Sequence, residues 1–263
     1  MKQILLINDV VGHSHVGMVA MWPILTYYGH AVYNLPTALV SNNFDYRDFS
    51  VMETTAYMRD TMPVWQKLGF RFDAVCTGFM FSDEQARLVA DYCRSLAATG
   101  TAVFVDPVMA DSGSLYNGLD QRHVELMRDM VSVADLTFPN YTEACRMLDA
   151  IAVLGAKAVV ITSAKVDGQS CVVGRRSDSQ LAGIAQEHGD GRYFRLDYDE
   201  IPLTFPGTGD IFSSVLIGHL MNGETLRQST QTAMTVVSRL IDRNRHQDDI
   251  RLGIPIEQCL DLL

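Results

Sequence analysis

The sequence is short of positive charge and of long apolar runs. Its 21 lysines and arginines are outnumbered by 31 aspartates and glutamates, which gives a formal net charge of −10. Nucleic-acid-binding and membrane-surface proteins need basic patches, so neither nucleic acid nor a membrane is an expected partner. The apolar run at residues 4–7 stops at polar residues, and no segment approaches the roughly 20 apolar residues of a membrane span. We therefore expect a protein that works in the cytoplasm.

Paired cysteines and low-complexity segments are also lacking. The five cysteines are odd in number and widely spaced, and no C-x-x-C pair occurs among them. This pattern argues against a disulfide framework or a zinc site and predicts reduced thiols. No internal repeat or linker composition divides the chain. Residues 1–263 are therefore predicted to form a single domain.

Short β-rich runs alternate with amphipathic stretches along the chain. Six runs are predicted strands, at residues 3–7, 31–35, 74–77, 102–105, 135–138 and 158–162. Seven stretches are predicted helices, at residues 16–28, 54–68, 83–98, 122–131, 142–148, 210–221 and 226–242. Because the strands are apolar throughout and alternate with helices, they predict an α/β fold with a central, mostly parallel sheet and helices on both faces.

Polar side chains follow the predicted strands where each strand ends. Asn8 and Asp9 follow the first strand, Asp106 follows the fourth and Asn140 follows the fifth. Ligands of open α/β sheets bind beyond the carboxyl ends of the strands. We therefore expect the functional site at this edge of the sheet.

Residues 205–212 read FPGTGDIF and lead directly into an apolar helical pattern. Gly207 and Gly209 lack a Cβ, so the backbone can adopt otherwise costly dihedral angles and approach a ligand closely. The first N–H groups of the helix have no internal partner and can bind an anion. Asp210 suits a base that takes a proton from an attacking hydroxyl group while those N–H groups hold a transferred phosphoryl group. The alternative is that Thr208 and Asp210 only cap the helix.

Two further motifs offer oxygen ligands. Residues 106–111, DPVMAD, place Asp106 and Asp111 around a proline, where they can hold Mg²⁺ beside nucleotide phosphates or merely form a turn. In PNYTEA, residues 139–144, Asn140 precedes Glu143 by three residues, which is the spacing of a capping box. The same pair would also lie on the rim with the two aspartates, where a metal–phosphate group needs oxygen ligands.

A fourth motif is the buried strand at residues 159–163, VVITS. Its terminal hydroxyl groups, on Thr162 and Ser163, can donate to a phosphate or close a turn.

Each of the four motifs is a weak signal alone. Their order along the chain, DPVMAD, PNYTEA, VVITS and FPGTGD, resembles that in the ribokinase-like superfamily, specifically in its vitamin B6 kinase branch. The resemblance extends to residues 7–9, 35–42 and 77–79, and so covers nearly the whole chain.

This resemblance implies transfer of the γ-phosphoryl group of ATP to the 5′-hydroxymethyl group of pyridoxamine, pyridoxine or pyridoxal. It makes Asp210 the catalytic base, and it forms the anion hole from Gly207, Thr208 and Gly209. Positions associated with Mg²⁺ and phosphates are Asp106, Asp111, Asn140 and Glu143, with Asp106, Asp111 and Glu143 as metal ligands. Thr162 and Ser163 match nucleotide-phosphate contacts. The resemblance also implies a homodimer.

The substrate end departs from the family pattern. Pyridoxal kinases commonly carry Ser where Asn8 aligns, Thr near Phe44 and Tyr at Phe79. Asn8 can still hydrogen-bond a ring nitrogen or phenolic oxygen, whereas Phe44 and Phe79 offer only apolar or stacking surface. Together with Ser41 and Asp210, these side chains are the predicted substrate contacts.

Two other functions remain open at this level. A hydroxymethylpyrimidine kinase shares the anion hole and differs in the substrate pocket. A non-catalytic nucleotide- or vitamin-binding homologue would keep the fold, although such a binder has no need of Asp210 as a base.

A further departure from the family pattern is the connection at residues 149–157, which is shorter than in related kinases by about one helix of a βα unit.

Overall fold

The computed structural model describes residues 1–46, 48–147, 156–176 and 192–263. Its strands are β1 (Gln3–Val11), β2 (Ala31–Val40), β3 (Val51–Glu53), β4 (Ala74–Thr77), β5 (Ala102–Val105), β6 (Ala110–Asp111), β7 (Ser114–Leu115), β8 (Leu136–Thr137), β9 (Ala158–Val166), β10 (Gln169–Arg176) and β11 (Tyr193–Asp197). Its α-helices are α1 (Met18–Tyr27), α2 (Thr55–Lys67), α3 (Asp83–Ala97), α4 (Gln121–Val131), α5 (Tyr141–Arg146), α6 (Thr208–Met221) and α7 (Leu226–Asn244). Three short 3₁₀ turns follow, at Ile250–Leu252, Ile256–Gln258 and Leu260–Leu262.

Nine of these strands form one sheet in the order β11-β10-β9-β8-β5-β4-β1-β2-β3. Each neighbouring pair from β9 to β2 is parallel. The pairs at the two edges, which involve β10, β11 and β3, are antiparallel. The predicted mostly parallel sheet is therefore confirmed.

Alternate residues of β1 enter two separate hydrophobic cores. Ile4 and Leu6 pack in a core with α1, α6 and α7, whereas Leu5 and Ile7 pack in a second core with α2, α3 and α4. Successive side chains of a strand point to opposite faces of the sheet, so a strand covered on both faces is apolar throughout. Helices on both faces, as predicted, are confirmed.

The seven predicted helices are confirmed, with ends that differ by up to two residues where they can be compared. The predicted end of the fifth helix at Leu148 lies outside the described residues. α6 begins at Thr208, two residues earlier than predicted, so Gly209 and Asp210 belong to its first turn. Three of the six strands run four or five residues further than predicted, because β1, β2 and β9 continue to pair beyond their apolar runs.

The structure also bears on the predicted strands, the short connection before β9, the absence of membrane spans and the state of the cysteines. Five of the strands were not predicted: β3, β6, β7, β10 and β11. Most of the short connection before β9 (residues 148–155) lies outside the described residues. Within the described ranges, no helix combines the length and apolar character needed to cross a membrane. The five cysteines are free thiols, and all but Cys145 are buried.

Candidate active site

A cavity of about 1150 Å³ lies at the carboxyl ends of the parallel strands. Its polar wall is contributed by β1, by the loops that follow β5 and β8, by β9 and by the start of α6, through Asn8, Asp9, Asp106, Asn140, Thr162 and Asp210. The expectation that the polar strand ends meet at one edge of the sheet is therefore confirmed.

The two glycines before Asp210 differ in their surroundings. Gly207 precedes α6 in the left-handed conformation, with φ of 81°, and a Cβ there would clash with the carbonyl oxygen of His15. Only glycine meets both conditions without strain. Gly209 does not have a positive φ, and nothing lies within 4 Å of the position its Cβ would occupy. The conformational argument therefore applies to Gly207, whereas at Gly209 the structure shows open space.

The side chain of Asp210 does not cap its own helix. Its Oδ2 accepts a hydrogen bond of 2.8 Å from the main-chain N–H of Gly17, and its Oδ1 accepts one of 3.3 Å from Nδ2 of Asn8. The hydroxyl group of Thr208 donates backwards to the carbonyl oxygen of Phe205 at 3.1 Å, and α6 has no side-chain cap. The capping alternative is therefore wrong for both residues.

The ionisation of Asp210 is shifted toward neutrality. Burial raises the pKa of Asp210 to about 6, and the hydrogen bonds from Gly17 and Asn8 oppose this rise. A general base works best when its pKa lies near the operating pH. Asp210 can therefore take up a proton from a hydroxyl group and release it again at neutral pH.

Asn8 uses its whole amide group inside the protein. Its Oδ1 accepts from the main-chain N–H groups of Asp9 and Phe79, at 3.0 and 2.9 Å, and its Nδ2 contacts Asp210 and the sulfur of Met21. A side-chain amide has two donor hydrogens and two acceptor lone pairs. All four are engaged and the residue is only 1% exposed, so Asn8 orients Asp210. Its contact with a substrate ring stays a prediction.

Asp9 is a site residue to which sequence reasoning assigned no role. It lines the cavity and is 7% exposed. Burial, followed by the charge of Asp210, raises the pKa of Asp9 to about 7. The available signal was a carboxylate directly after an apolar strand, but the sequence does not reveal that both Asn8 and Asp9 line the cavity.

Glu143 joins the DPVMAD and PNYTEA motifs. Its Oε1 accepts from the main-chain N–H groups of Met109 and Ala110, at 3.0 and 3.3 Å, and its Oε2 accepts from that of Asn140 at 2.9 Å. The side chain of Asn140 accepts from the N–H of Glu143 at 3.0 Å, so the predicted capping box is confirmed. Asn140 also donates to the carbonyl oxygen of Ala110 at 2.7 Å. Both residues therefore hold the loop that carries the two aspartates.

The predicted metal ligands differ in how accessible their oxygens are. Asp106 lines the cavity, where burial and the charges of Glu143 and Asp210 raise its pKa well above the usual range. Asp111 is exposed and accepts from the N–H of Ser112 at 2.7 Å. In the described part of the chain, no three acidic, histidine or cysteine side chains are grouped closely enough to hold a metal. Mg²⁺ at these positions stays a prediction.

The predicted nucleotide-phosphate contacts lie next to the loop that follows β8. Thr162 and Ser163 line the cavity, and the N–H of Thr162 donates to the carbonyl oxygen of Pro139 at 3.0 Å. Ser163 has a φ of 57°, in the left-handed region. The hydrogen bond from Thr162 to Pro139 places Thr162 and Ser163 beside Asn140, which lines the same cavity.

The predicted substrate end is aromatic. The rings of Phe44 and Phe79 line the cavity with centroids 5.6 Å apart, and Phe79 also stacks on His123 at 6.1 Å. Ser41 does not line the cavity, and its hydroxyl group is engaged with Asn42 and with the main-chain N–H of Ser50. The structure therefore brings the two phenylalanines to the site but leaves Ser41 outside it.

The opposite end of the cavity is largely apolar. The segment before α6 and one face of α7 line it, through Leu203, Phe205, Met234, Val237 and Ile241. Sequence reasoning assigned no role to these five side chains. Only the tertiary structure, which brings α7 to the cavity, reveals this apolar wall.

Comparison with known proteins places this site in a family. The family model of the phosphomethylpyrimidine kinases matches residues 26–253. The chain belongs to this family. A similar protein is the pyridoxal kinase PdxY of Granulibacter bethesdensis, which is 28% identical over 274 residues and is aligned over 91% of this chain and 89% of its own length.

Solved structures confirm the fold. A crystal structure with pyridoxal, of a Bacteroides thetaiotaomicron protein provisionally assigned to the phosphomethylpyrimidine kinases, is 30% identical with a TM-score of 0.89, over 99% of this chain and 95% of that one. The pyridoxal kinase of Leishmania donovani, in complex with ADP and pyridoxamine, is 23% identical with a TM-score of 0.82, over 99% and 95%. The protein is a kinase with the ribokinase-like fold, and its predicted membership of the vitamin B6 kinase branch is confirmed.

Proposed function

We propose that this kinase transfers the γ-phosphoryl group of ATP to the 5′-hydroxymethyl group of a B6 vitamer, with Asp210 as the base. The observation that carries the proposal is the position of Asp210 in the first turn of α6, held by Gly17 and Asn8 and facing the cavity. The substrate class is supported by relatives that are named pyridoxal kinases and by the Bacteroides thetaiotaomicron structure with pyridoxal.

In the proposed reaction, the 5′-hydroxyl group gives its proton to Asp210 as its oxygen attacks the γ-phosphorus. The new O–P bond forms while the bond to the β-phosphate oxygen breaks, and ADP leaves. The N–H groups of Gly207, Thr208 and Gly209 lie at the positive end of α6 and hold the charge on the transferred group. Asp210 then passes its proton to solvent.

The nucleotide would occupy the rest of the cavity. Its phosphates would contact Asn140, Thr162 and Ser163, and its adenine would lie at the apolar end between Leu203 and Val237. The Leishmania donovani kinase is similar in fold and was solved with ADP.

The donor set fits Mg²⁺, which prefers oxygen ligands and retains several waters. Asp106 and Asp111 would hold the ion, because the oxygens of Glu143 already accept three main-chain hydrogen bonds. When bound, Mg²⁺ would neutralise charge on the phosphate oxygens. Glu143 then serves to position the loop.

We also propose that the chain works in the cytoplasm as one domain and as a homodimer. A single sheet separates the two main hydrophobic cores, which supports one domain. Sedimentation equilibrium tests the dimer, since a monomer mass across the micromolar range would contradict it.

The experiment measures ADP formation from Mg·ATP with pyridoxamine, pyridoxine, pyridoxal and hydroxymethylpyrimidine supplied separately, and identifies the phosphorylated product by mass spectrometry. We expect a 5′-phosphate of at least one vitamer, and none with the Asp210→Asn control. Turnover of hydroxymethylpyrimidine alone would favour the activity after which the family is named. ATP binding without turnover of any of the four would indicate a non-catalytic homologue.

A further inference from the structure

Asp9 is a buried carboxylate that forms no ion pair with a Lys, Arg or His of the described residues. It is 7% exposed and lines the cavity. Its own main-chain N–H is the donor that lowers its pKa, whereas burial and the charge of Asp210 raise it. Burying a carboxylate is costly unless a cation or several donors compensate for the lost hydration. A ligand that carries a cation would supply the missing partner.

The carboxylates of Asp9 and Asp210 both lie next to Gly17. The main-chain N–H of Gly17 donates to Oδ2 of Asp210 at 2.8 Å, and a Cβ on Gly17 would lie 2.5 Å from Oδ1 of Asp9. The charge of Asp210 also raises the pKa of Asp9. The two carboxylates therefore flank one glycine and present adjacent negative groups to a substrate.

The strand pairing is irregular at this position. Asn8 of β1 pairs with Pro36 of β2 and Val10 pairs with Leu39, so β2 has one more residue than β1 across the step at Asp9. Such irregularities re-aim side chains and are common next to active sites. The extra residue belongs to β2, and Asp9 is the β1 residue that lies opposite this irregularity.

The chemistry of the proposed substrate decides which of its groups meets Asp9. On the pyridine ring, the 4′ substituent is attached next to the carbon that carries the 5′-hydroxymethyl group. When the 5′ oxygen lies at Asp210, the groups that flank its carbon on the ring are the 4′ substituent on one side and the C6 hydrogen on the other. Of these two, only the 4′ substituent can carry the cation that Asp9 lacks. That substituent is a protonated aminomethyl group in pyridoxamine, a neutral hydroxymethyl group in pyridoxine and a neutral aldehyde in pyridoxal.

We propose that Asp9 binds the 4′-ammonium group of pyridoxamine and makes pyridoxamine the preferred vitamer of this kinase. This inference rests on the proposed function for the orientation of the ring. A charge-assisted hydrogen bond between ammonium and carboxylate replaces the hydration that Asp9 has lost. Asp9 thereby determines specificity, while Asp210 performs the chemistry common to all three vitamers.

The test measures dissociation constants of pyridoxamine and pyridoxine by calorimetry without ATP, together with kcat/KM for both. The variants are Asp9→Asn and a matched control, Asp45→Asn, which removes the same charge from an exposed residue of the cavity wall. We expect Asp9→Asn to weaken pyridoxamine binding by about 10- to 100-fold, the range for a hydrogen bond between charged groups. Pyridoxine binding should change much less, and Asp45→Asn should preserve the preference.

Equal losses for the two vitamers, or equal affinities in the unsubstituted protein, would overturn the inference. Asp9→Ser provides a second, smaller neutral variant, and thermal unfolding shows whether each variant is folded. If vitamers are phosphorylated without a pyridoxamine preference, the inference fails alone. If the preference for the ammonium group appears in binding but no vitamer is phosphorylated, only the proposed function fails. If neither vitamer binds, both fail.

Discussion

The carboxylates of Asp210 and Glu143 lie on the same cavity but make different contacts. Glu143 is 3% exposed, and both of its oxygens accept from main-chain N–H groups, three in total. Asp210 accepts from one main-chain N–H and one side-chain amide. Burial is the leading cause of a raised pKa in each, to about 7 for Glu143 and about 6 for Asp210.

This comparison shows that burial and pKa do not by themselves separate the two roles. A carboxylate offers about four lone-pair positions. Glu143 uses three of them to hold the backbone of two motifs, whereas Asp210 keeps capacity for the proton of a substrate. The count of main-chain donors is therefore the more informative measure of what each group can do.

The largest expected effect is that of Asp210→Asn. An amide of the same shape cannot take a proton from the hydroxyl group, so kcat should fall by about 10²- to 10⁴-fold. ATP affinity should be preserved, because the N–H groups at the start of α6 remain. Steady-state ADP release and calorimetric titration with ATP check the two statements.

The exposed Asp91→Asn provides the control for Asp210→Asn, since it removes the same charge far from the cavity. A loss of less than tenfold in the Asp210 variant would show that another group accepts the proton.

Glu143→Gln is the corresponding carboxylate-to-amide substitution at Glu143, the second carboxylate of the comparison. Its amide nitrogen would face a main-chain N–H that now donates to the carboxylate, which leaves a buried donor unsatisfied. The free energy of unfolding should fall by about 1–3 kcal/mol, as measured by urea denaturation at pH 8. If this variant were as stable as the original protein but as inactive as Asp210→Asn, Glu143 would take part in the chemistry. The distinction between a positioning role for Glu143 and a catalytic role for Asp210 would then be wrong.

The glycines before Asp210 allow a similar paired test. Gly207→Ala must adopt a positive φ and meets His15, so it should lower the free energy of unfolding by roughly 1–3 kcal/mol. Gly209→Ala has no clash in a helical turn and should be neutral or stabilising by up to about 1 kcal/mol. If phosphate occupies the open space beside Gly209, its variant should nevertheless bind ATP more weakly. Thermal unfolding with and without ATP checks both, and equal stability of the two variants would contradict the structure.

The smallest expected effect is the pH dependence of turnover. The base must be deprotonated, and the pKa of Asp210 is raised to about 6. Turnover of pyridoxine should therefore rise about tenfold from pH 5 to a plateau above pH 7. Asp9→Asn should retain this rise, which excludes Asp9 as its cause. A flat profile between pH 5 and 8 would show that Asp210 does not titrate in this window.

The sequence predicted the central architecture well and the edges of the sheet poorly. Buried parallel strands are apolar throughout and helices have a period near 3.6, so both can be recognised locally. The hairpin of β9 and β10 was missed although its signal was present, since Asp167-Gly168 forms a two-residue turn with positive φ at both residues. This dipeptide is typical of such turns.

The roles of neighbouring polar residues could not be predicted. Asn8 and Asp9 are adjacent in the chain and both line the cavity. The amide group of Asn8 is engaged with Phe79 and Asp210, whereas the carboxylate of Asp9 forms no ion pair with a described residue. Glu143 was predicted both as a cap and as a metal ligand, and its contacts with Met109 and Ala110 were not foreseen. These contacts join residues separated by more than 30 positions.

By itself, the sequence determined the order of the six central strands and seven helices, the capping box of Asn140 and Glu143, and the motifs that place the chain among the vitamin B6 kinases. These features depend on residues close together in the chain. Only the tertiary structure decided that Asp210 is held by Gly17 and Asn8, and that Asp9 stands beside it. The physical reason is that hydrogen bonds, burial and charge at the cavity depend on groups of β1, of Gly17 and of the first turn of α6, which are far apart in the chain and which no local pattern brings together.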